Sequence, residues 1–154
     1  MTTTLDPMDA ARLSAWHERS TADYIESRVA SGETREQATA AAALTDAELF
    51  PGGEPADGQH VFDVVSDGEN VGILWIGLRD AATNAWWVYD VEIDEAFRGH
   101  GHGRTAMLLA EQKAKELGAA TLGLNVFGFN TVARGLYESL GYEPTAIQMR
   151  KPLP

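Results

Sequence analysis

A seven-residue segment with alternating glycines holds the densest set of groups in the chain that could bind a ligand. It reads Arg98-Gly99-His100-Gly101-His102-Gly103-Arg104. Alternate glycines allow a tight turn, and they leave successive backbone N–H groups free to point at one spot. The two terminal arginines could add charge-assisted hydrogen bonds. Such a turn favours the binding of a phosphate or diphosphate group.

The elements on either side of this turn are suited to position it. Residues 86–93 are rich in aromatic and β-branched side chains and predict a strand, whereas the apolar run 105–110 predicts the start of a helix. The N–H groups of the turn would then lie at the positive end of a helix dipole, where anions bind.

Three phosphate-binding motifs compete for this segment, beside an ordinary glycine-rich turn. A Walker loop needs Gly-Lys-Ser/Thr, but Gly103 is followed by Arg104-Thr105. A dinucleotide fingerprint is met by Gly101, Gly103 and Ala106, but no acid occupies the place some twenty residues later, at Leu124-Asn125-Val126. The third pattern, Arg/Gln-x-x-Gly-x-Gly/Ala, is matched by Arg98, Gly101 and Gly103.

A second signature follows at residues 125–142. It has a strand, an Asn, an Ala, a Leu-Tyr pair and a closing Gly-Tyr. The third pattern and this segment, in this order and with one helix and one strand between them, resemble the two signatures of the GNAT superfamily of N-acetyltransferases. The resemblance runs from about Val61 to Arg150.

The resemblance implies direct transfer of an acetyl group from acetyl-CoA to a primary amine. It implies that loop 98–104 binds the coenzyme diphosphate and that Asn130 contacts the diphosphate or pantetheine arm. It also implies that the strand before the loop is bulged and parts from the next parallel strand. Backbone groups near Val91 and Ile93 would then pair with pantetheine amides, and one N–H would face the thioester oxygen.

Two side chains are the candidate catalytic groups. Tyr137 matches the tyrosine that, by the resemblance, protonates the leaving sulfur, although it also lies on an apolar helix stripe and could serve packing alone. The general base is Glu92 by hypothesis, with Asp90 or a chain of water molecules as alternatives. Asp90 and Glu92 are two positions apart and would share one face of a regular strand.

An amide at Asn125 occupies the place of a carboxylate in some relatives, and an amide cannot act as a base. A catalytically weak acyl-CoA-binding or regulatory module on the same fold is therefore an alternative function. A dinucleotide-binding protein is a second alternative. His100 and His102 form one His-x-His pair without a third ligand, so we expect no metal. Their side chains are expected to lie outside the loop.

Composition limits the class of partner. The chain has 154 residues, a formal net charge of −11 and no cysteine. The charge predicts repulsion from nucleic acid and from anionic membranes, and it favours a cationic acceptor, either a small molecule or a peptide amine. No apolar run is long enough to span a bilayer. The polar N-terminus is unlike a signal peptide, and we expect a cytoplasmic protein.

Periodicity predicts one α/β (α+β) domain over residues 1–154, with a helical part at about 6–50 and a cofactor-binding part at about 60–150. The predicted order is β-α-α-β-β-β-α-β-α-β, a mixed and mainly antiparallel sheet with helices on both faces. Asp6 is expected to cap the first helix with Pro7 in its first turn, Thr34 and Gln37 form a capping box, and Asp67-Gly68 forms a hairpin turn.

Residues 144–150 predict the last strand, and only four residues follow it. Relatives usually add one more strand after it. The last edge of the sheet is therefore expected to stay open or to be covered by a second subunit in a homodimer.

Overall fold

Five strands and four helices form a mixed α and β fold. A computed structural model describes residues 2–154. In chain order the elements are β1 (Thr3–Pro7), α1 (Ala10–Ala30), α2 (Arg35–Leu49), β2 (Gln59–Ser66), β3 (Glu69–Asp80), β4 (Ala85–Ile93), α3 (His102–Glu116), β5 (Thr121–Leu124) and α4 (Thr131–Ser139). No helix within the described range is long and apolar enough to cross a membrane.

The strands form one sheet in the order β1-β2-β3-β4-β5. The first four strands are antiparallel neighbours, and β4 pairs with β5 in parallel through the crossover helix α3. The predicted fold class is confirmed. The hairpin turn between β2 and β3 is also confirmed, since Asp67 and Gly68 both have positive φ angles, of 50° and 83°.

The helix caps are confirmed at one position and differ at another. Thr34 and Gln37 form the expected capping box at the start of α2. The first helix, however, is capped by Asp9, whose side chain accepts from the backbone N–H of Arg12. Asp6 and Pro7 belong instead to β1, where Pro7 pairs with Phe62. An edge strand tolerates proline because one side of it needs no N–H donor.

The predicted last strand is not formed. Residues 144–150 are irregular, and Ile147 and Met149 are 76% and 90% exposed. The guanidinium of Arg150 donates to the backbone carbonyl of Ser31 at the end of α1 (2.7 Å). The outer edge of β5 is unpaired within residues 2–154. An alternating apolar pattern does not by itself make a strand, because strand formation depends on packing against neighbouring strands and on burial.

Apolar side chains cover both faces of the sheet. On one face, α3 packs against the larger core, which includes Leu74, Ile76 and Met107, all fully buried. On the other face, α1 and the end of α2 cover a smaller aromatic core around Trp16 and Phe50. The two layers of helices hold the central strands β3 and β4 rigidly, and these strands carry the candidate site.

The larger core should lose stability when a buried leucine is shortened. We expect Leu74→Ala to lower the unfolding free energy by about 2–5 kcal/mol, because it removes buried methyl groups and leaves a cavity. Leu44→Ala, at a helix position that is 75% exposed, is the matched control and should change stability by less than about 0.5 kcal/mol. Urea unfolding followed by tryptophan fluorescence measures both. Equal losses in the two variants would contradict this assignment of the core.

Candidate active site

The glycine-rich turn delivers the chain from β4 into α3. Gly99 and Gly101 have φ angles of 80° and 83°, in the left-handed region that glycine adopts without strain. A Cβ at either position would meet no atom within 4 Å, so this side of the turn is open. Gly101 is the N-cap of α3, and no side chain caps that helix. The first N–H groups of α3 therefore point at an open surface where an anion can bind.

The two arginines of the turn tie it to neighbouring elements. The Nε of Arg98 donates to the carbonyl of Ile93 at the end of β4 (2.8 Å), and the Nη2 of Arg104 donates to Ser139 Oγ in α4 (2.7 Å). Each guanidinium keeps further N–H donors for a ligand. The turn is thus fixed at both ends, and its positive charge surrounds the start of α3.

The two histidines of the turn have different environments. His100 is exposed, as expected, and its Nδ1 lies 3.3 Å from the carbonyl of Phe97. The expectation that His102 also points outward is wrong, because its side chain is only 7% exposed and meets the edge of the Phe97 ring. As the first residue of α3 it falls on the inner face of the helix. No group of three potential metal ligands occurs among residues 2–154.

Strand β4 contains a β-bulge beside the ring of Trp75. Val88 pairs with Ile76 and Asp90 pairs with Trp75, so Tyr89 is the extra residue on β4. The ring of Tyr89 stacks on that of Trp75 with centroids 4.7 Å apart. The bulge therefore places the side chains of Tyr89 and Asp90 on the same face of the sheet, toward α1.

Strands β4 and β5 separate immediately after the bulge. Their parallel pairing ends at Val88 and Leu124. A cleft opens beyond that point between residues 88–91 of β4 and residues 124–127, and α4 closes its side through Asn130 and Tyr137. The backbone of β4 from Tyr89 onward, including Val91 and Ile93, has no strand partner on the β5 side within the described chain. A ligand with amide groups could occupy that position.

Helix α4 brings two polar side chains to this cleft. Asn130 caps the helix through Oδ1, which accepts from the backbone N–H of Ala133 (3.3 Å), and this leaves its amide N–H groups free to donate. The hydroxyl of Tyr137 has no hydrogen-bond partner among the described residues, although its ring packs against the larger core. Burial, followed by the nearby charge of Asp90, raises the pKa of Tyr137. Its hydroxyl therefore keeps its proton and is free to donate it.

The two carboxylates of β4 lie on the same face, as expected, but in different surroundings. Asp90 pairs with Trp75 and Glu92 pairs with Ile73, and both partners belong to the face covered by α1. Glu92 is exposed. Asp90 is largely buried, and burial raises its pKa from an ordinary 3.8 to about 6.

The acids near Asp90 raise its pKa further. The charge of Glu92 raises this pKa more than the charge of Asp23 in α1 does, whereas the charge of Arg19 in α1 lowers it. These α1 side chains were not among the sequence-predicted site residues, because no local pattern relates a helix at residues 10–30 to a strand sixty positions later. A carboxyl with a pKa of about 6 is largely ionised at neutral pH and still basic enough to take up a proton.

Asn125 also lines the cleft, directly after the last paired residue of β5. It is one of the residues at which β5 leaves the sheet, so its amide borders the space that the separating strands create. The cleft thus has one carboxylate on the β4 side, one amide on the β5 side and one tyrosine on the α4 side.

Comparisons with known proteins agree with this geometry. A model described as the acetyltransferase (GNAT) family matches residues 14–142. Two N-acetyltransferases of Bacillus subtilis (strain 168), YdgE and YycN, both described as uncharacterized, are each 30% identical over 156 aligned positions. These alignments cover 99% of this chain, with 99% of YdgE and 100% of YycN.

Solved structures show the same architecture. The crystal structure of Bacillus subtilis YycN superposes with a TM-score of 0.86 at 29% identity, covering 99% of both chains. The aminoglycoside N-acetyltransferase AAC(6')-Iy in complex with CoA superposes with a TM-score of 0.59 at 16% identity, over 99% of this chain and 96% of that one, which shows the fold alone. With a family model matching most of its length and a site at the parting of two parallel strands, the chain belongs to the GNAT family of acetyltransferases.

Proposed function

We propose that the protein transfers an acetyl group from acetyl-CoA to a primary amine by direct attack. One observation carries the proposal: the bulge and the separation of β4 from β5 open a cleft, and the uncapped start of α3 lies beside the end of the same strand, where a Cβ at Gly103 would be 4.0 Å from the side chain of Ile93. A single long ligand could therefore place its anionic end at the helix dipole and its reactive end beside Asp90 and Tyr137. The structure of AAC(6')-Iy contains CoA, which supports the same ligand here.

The residues of the turn fit a diphosphate. The open side at Gly101, where no atom lies within 4 Å of an added Cβ, leaves room for oxygens to approach the backbone N–H groups. Arg98 and Arg104 supply the opposite charge. Asn130 would donate from its amide to the arm that follows, and the unpaired backbone at Val91 would bind the amides of pantetheine. The carbonyl of Ile93 already accepts a hydrogen bond from Arg98, so in this proposal Ile93 contributes mainly through its N–H.

Acetyl-CoA supplies the acyl group when bound, and the protein has two proton transfers to perform. The acceptor must lose a proton to become a nucleophile, and we assign this proton to Asp90. The C–S bond breaks as the new C–N bond forms, and the departing sulfur takes a proton from the hydroxyl of Tyr137. At neutral pH Asp90, with a pKa of about 6, is largely ionised and can accept a proton, whereas burial keeps Tyr137 protonated, so each side chain is placed to exchange one proton with the ligand.

The choice between Asp90 and Glu92 as base follows from their surroundings. Glu92 remains a candidate from the sequence, but it is exposed, whereas Asp90 lines the cleft itself. The charge of Glu92 raises the pKa of Asp90. In this proposal Glu92 tunes the base and attracts the acceptor, and Asp90 accepts the proton.

Charge favours a cationic acceptor, whether a small molecule or a peptide amine. The chain carries a formal net charge of −11, and Asp23, Asp90 and Glu92 lie on the acceptor side of the cleft. An ammonium ion would be drawn to that side, and the same carboxylates would repel an anionic acceptor.

The test is steady-state turnover of acetyl-CoA with a panel of amines, measured by release of free thiol and by mass spectrometry of the product. The chain has no cysteine, so a thiol reagent reports only the released coenzyme. Amine-dependent thiol release with an acetylated product supports the proposal. Coenzyme A binding without turnover would instead support the acyl-CoA-binding module that Asn125 suggested, and a melting temperature raised by NAD but not by coenzyme A would contradict both.

The placement of the diphosphate gives a separate prediction. Gly101→Val should weaken coenzyme A binding by tenfold or more, because its side chain projects into the open side of the turn. Gly118→Val is the matched control. Gly118 follows the other end of α3 with a φ of 100° and, like Gly101, has no atom within 4 Å of an added Cβ.

Both substitutions force a β-branched residue into the left-handed region, which costs about 1–2 kcal/mol. Similar losses of melting temperature are therefore expected, with loss of affinity only at Gly101. Isothermal titration calorimetry with coenzyme A separates the two effects. Equal affinities of the two folded variants would place the diphosphate elsewhere.

A further inference from the structure

Four aromatic side chains form a continuous wall beside the bulge: Trp16, Phe50, Trp75 and Tyr89, here called the aromatic wall. Trp16 and Phe50 are both 3% exposed. Trp75 packs edge-on against each of them, with centroids 5.5 Å and 5.1 Å away, and stacks on Tyr89 at 4.7 Å. Trp75 and Tyr89 are only half-buried, and both line the open cleft between α1 and the sheet.

The aromatic wall lies next to the carboxylate that the proposed function assigns as base. Trp75 is the cross-strand partner of Asp90, and the bulge turns Tyr89 to the same face. An amine nitrogen that reaches Asp90 from this face of the sheet therefore comes close to these two rings. Atoms that the acceptor carries within two or three bonds of its nitrogen can then pack against them.

The aromatic wall is preorganised. The Nε1 of Trp75 donates to Gln59 Oε1 at 2.9 Å, and Gln59 is itself only 7% exposed. The one polar atom of the indole is thus already satisfied inside the protein, and the part of the ring that faces the cleft offers only carbon and π electrons. An indole surface of this kind binds apolar groups and nearby cations, and the only hydroxyl in the aromatic wall is that of Tyr89.

We propose that the acceptor is a cationic amine with a compact, flat apolar group close to its nitrogen, an aralkylamine in chemical class. This inference rests on the proposed function and narrows its substrate. The ammonium ion is attracted by Asp90 and by the faces of the rings, and the apolar group packs on Trp75 and Tyr89. A hydroxyl-rich amine would lose more hydrogen bonds to water over the same surface than the single hydroxyl of Tyr89 replaces.

The test compares three amines with acetyl-CoA: 2-phenylethylamine, ethylamine and an aminoglycoside such as kanamycin. The highest kcat/KM is expected for 2-phenylethylamine. Trp75→Leu should raise the KM for this amine by roughly tenfold or more, because the ring it packs on is removed. The same variant should leave kcat and the KM for acetyl-CoA nearly unchanged. Its KM for ethylamine should also change little.

Trp87→Leu is the matched control, because it makes the same change on the adjacent strand and the same face of the sheet. The ring of Trp87 is covered by the guanidinium of Arg79, 4.0 Å from its centroid, and lies outside the aromatic wall. We expect it to keep wild-type KM values for all three amines.

The outcomes separate this inference from the function on which it rests. Equal or higher kcat/KM for kanamycin overturns the inference and leaves amine acetylation standing. The inference is also overturned if Trp75→Leu raises the KM of all amines alike, or if Trp87→Leu matches its effect. Turnover with none of the amines, in an enzyme that binds coenzyme A, contradicts the proposed function itself.

Discussion

Asp90→Asn is expected to lower turnover by about 10²–10⁴-fold at neutral pH, the usual contribution of a general base, and to make the protein more stable. The two effects have one cause. Asp90 is largely buried beside other acids, which raises its pKa from 3.8 to about 6. The unfolded chain therefore releases this proton at lower pH than the folded protein does.

The stability effect has a definite sign. Between pH 4 and pH 6 the folded state holds the proton of Asp90 more tightly than the unfolded state, so stability falls as the pH rises through this window. Above pH 6 the buried carboxylate lowers the unfolding free energy by as much as roughly 3 kcal/mol, and the neutral amide of Asn removes that loss. Thermal unfolding at pH 4 and pH 7 should show a gain for Asp90→Asn only at pH 7.

Glu92→Gln is the matched control for this prediction. It removes the neighbouring charge that raises the pKa of Asp90, so the acidic limb of the pH–rate profile should move to lower pH with turnover retained. If Glu92 were the base, Glu92→Gln would abolish the acidic limb and Asp90→Asn would keep a near wild-type rate. Equal, wild-type profiles in both variants would indicate proton removal through water.

Tyr137→Phe is expected to lower turnover by about 10²–10⁴-fold while the affinity for acetyl-CoA stays nearly unchanged. The ring, which packs against the larger core, is retained, and only the unpartnered hydroxyl at the cleft is lost. Tyr142→Phe makes the same change in a neighbouring ring, 6.2 Å from that of Tyr137 and outside the cleft between β4 and β5. We expect the Tyr142→Phe variant to keep the wild-type turnover rate. A loss of less than threefold in Tyr137→Phe would assign Tyr137 to packing alone.

Local chemistry made much of this fold predictable. The capping box at Thr34 and the Asp67-Gly68 turn each satisfy backbone groups within three or four residues, so the sequence alone carries them. The conformation of the glycine-rich turn was predictable for the same reason, because alternate glycines act on their own backbone. The start of α1 differed because pairing of Pro7 with the distant Phe62 outweighed a local helix signal.

The last strand and the surroundings of the base depend on contacts far apart in sequence. Residues 144–150 have the pattern of a strand but pair with no strand in the part of the chain described. Asp90 and Glu92 look alike in the sequence, but Asp90 is largely buried beneath α1, and this burial, followed by the charges of Glu92 and of Asp23, raises its pKa. His102 is buried because α3 begins three residues earlier than the apolar pattern suggests.

The bulge does leave a trace in the sequence. The side chains of β4 that face the larger core are Trp86, Val88, Val91 and Ile93. A regular strand would keep all of them at even or all at odd positions, but here the parity changes between 88 and 91. This change marks the position of one extra residue, and it coincides with the point where the cleft opens.

Insertions and deletions in β4 should consequently have very unequal effects. Removing Tyr89 would restore regular pairing with β3, leaving Asp90 opposite Trp75 and the core-facing residues on both sides in place. The fold should then survive, while the bend at which β4 parts from β5 is lost and the cleft closes. Removing a single residue elsewhere in the strand would turn the core-facing side chains between that point and the bulge to the wrong face. At the bulge, therefore, the chain can lose one residue and still fold, although the protein loses its function.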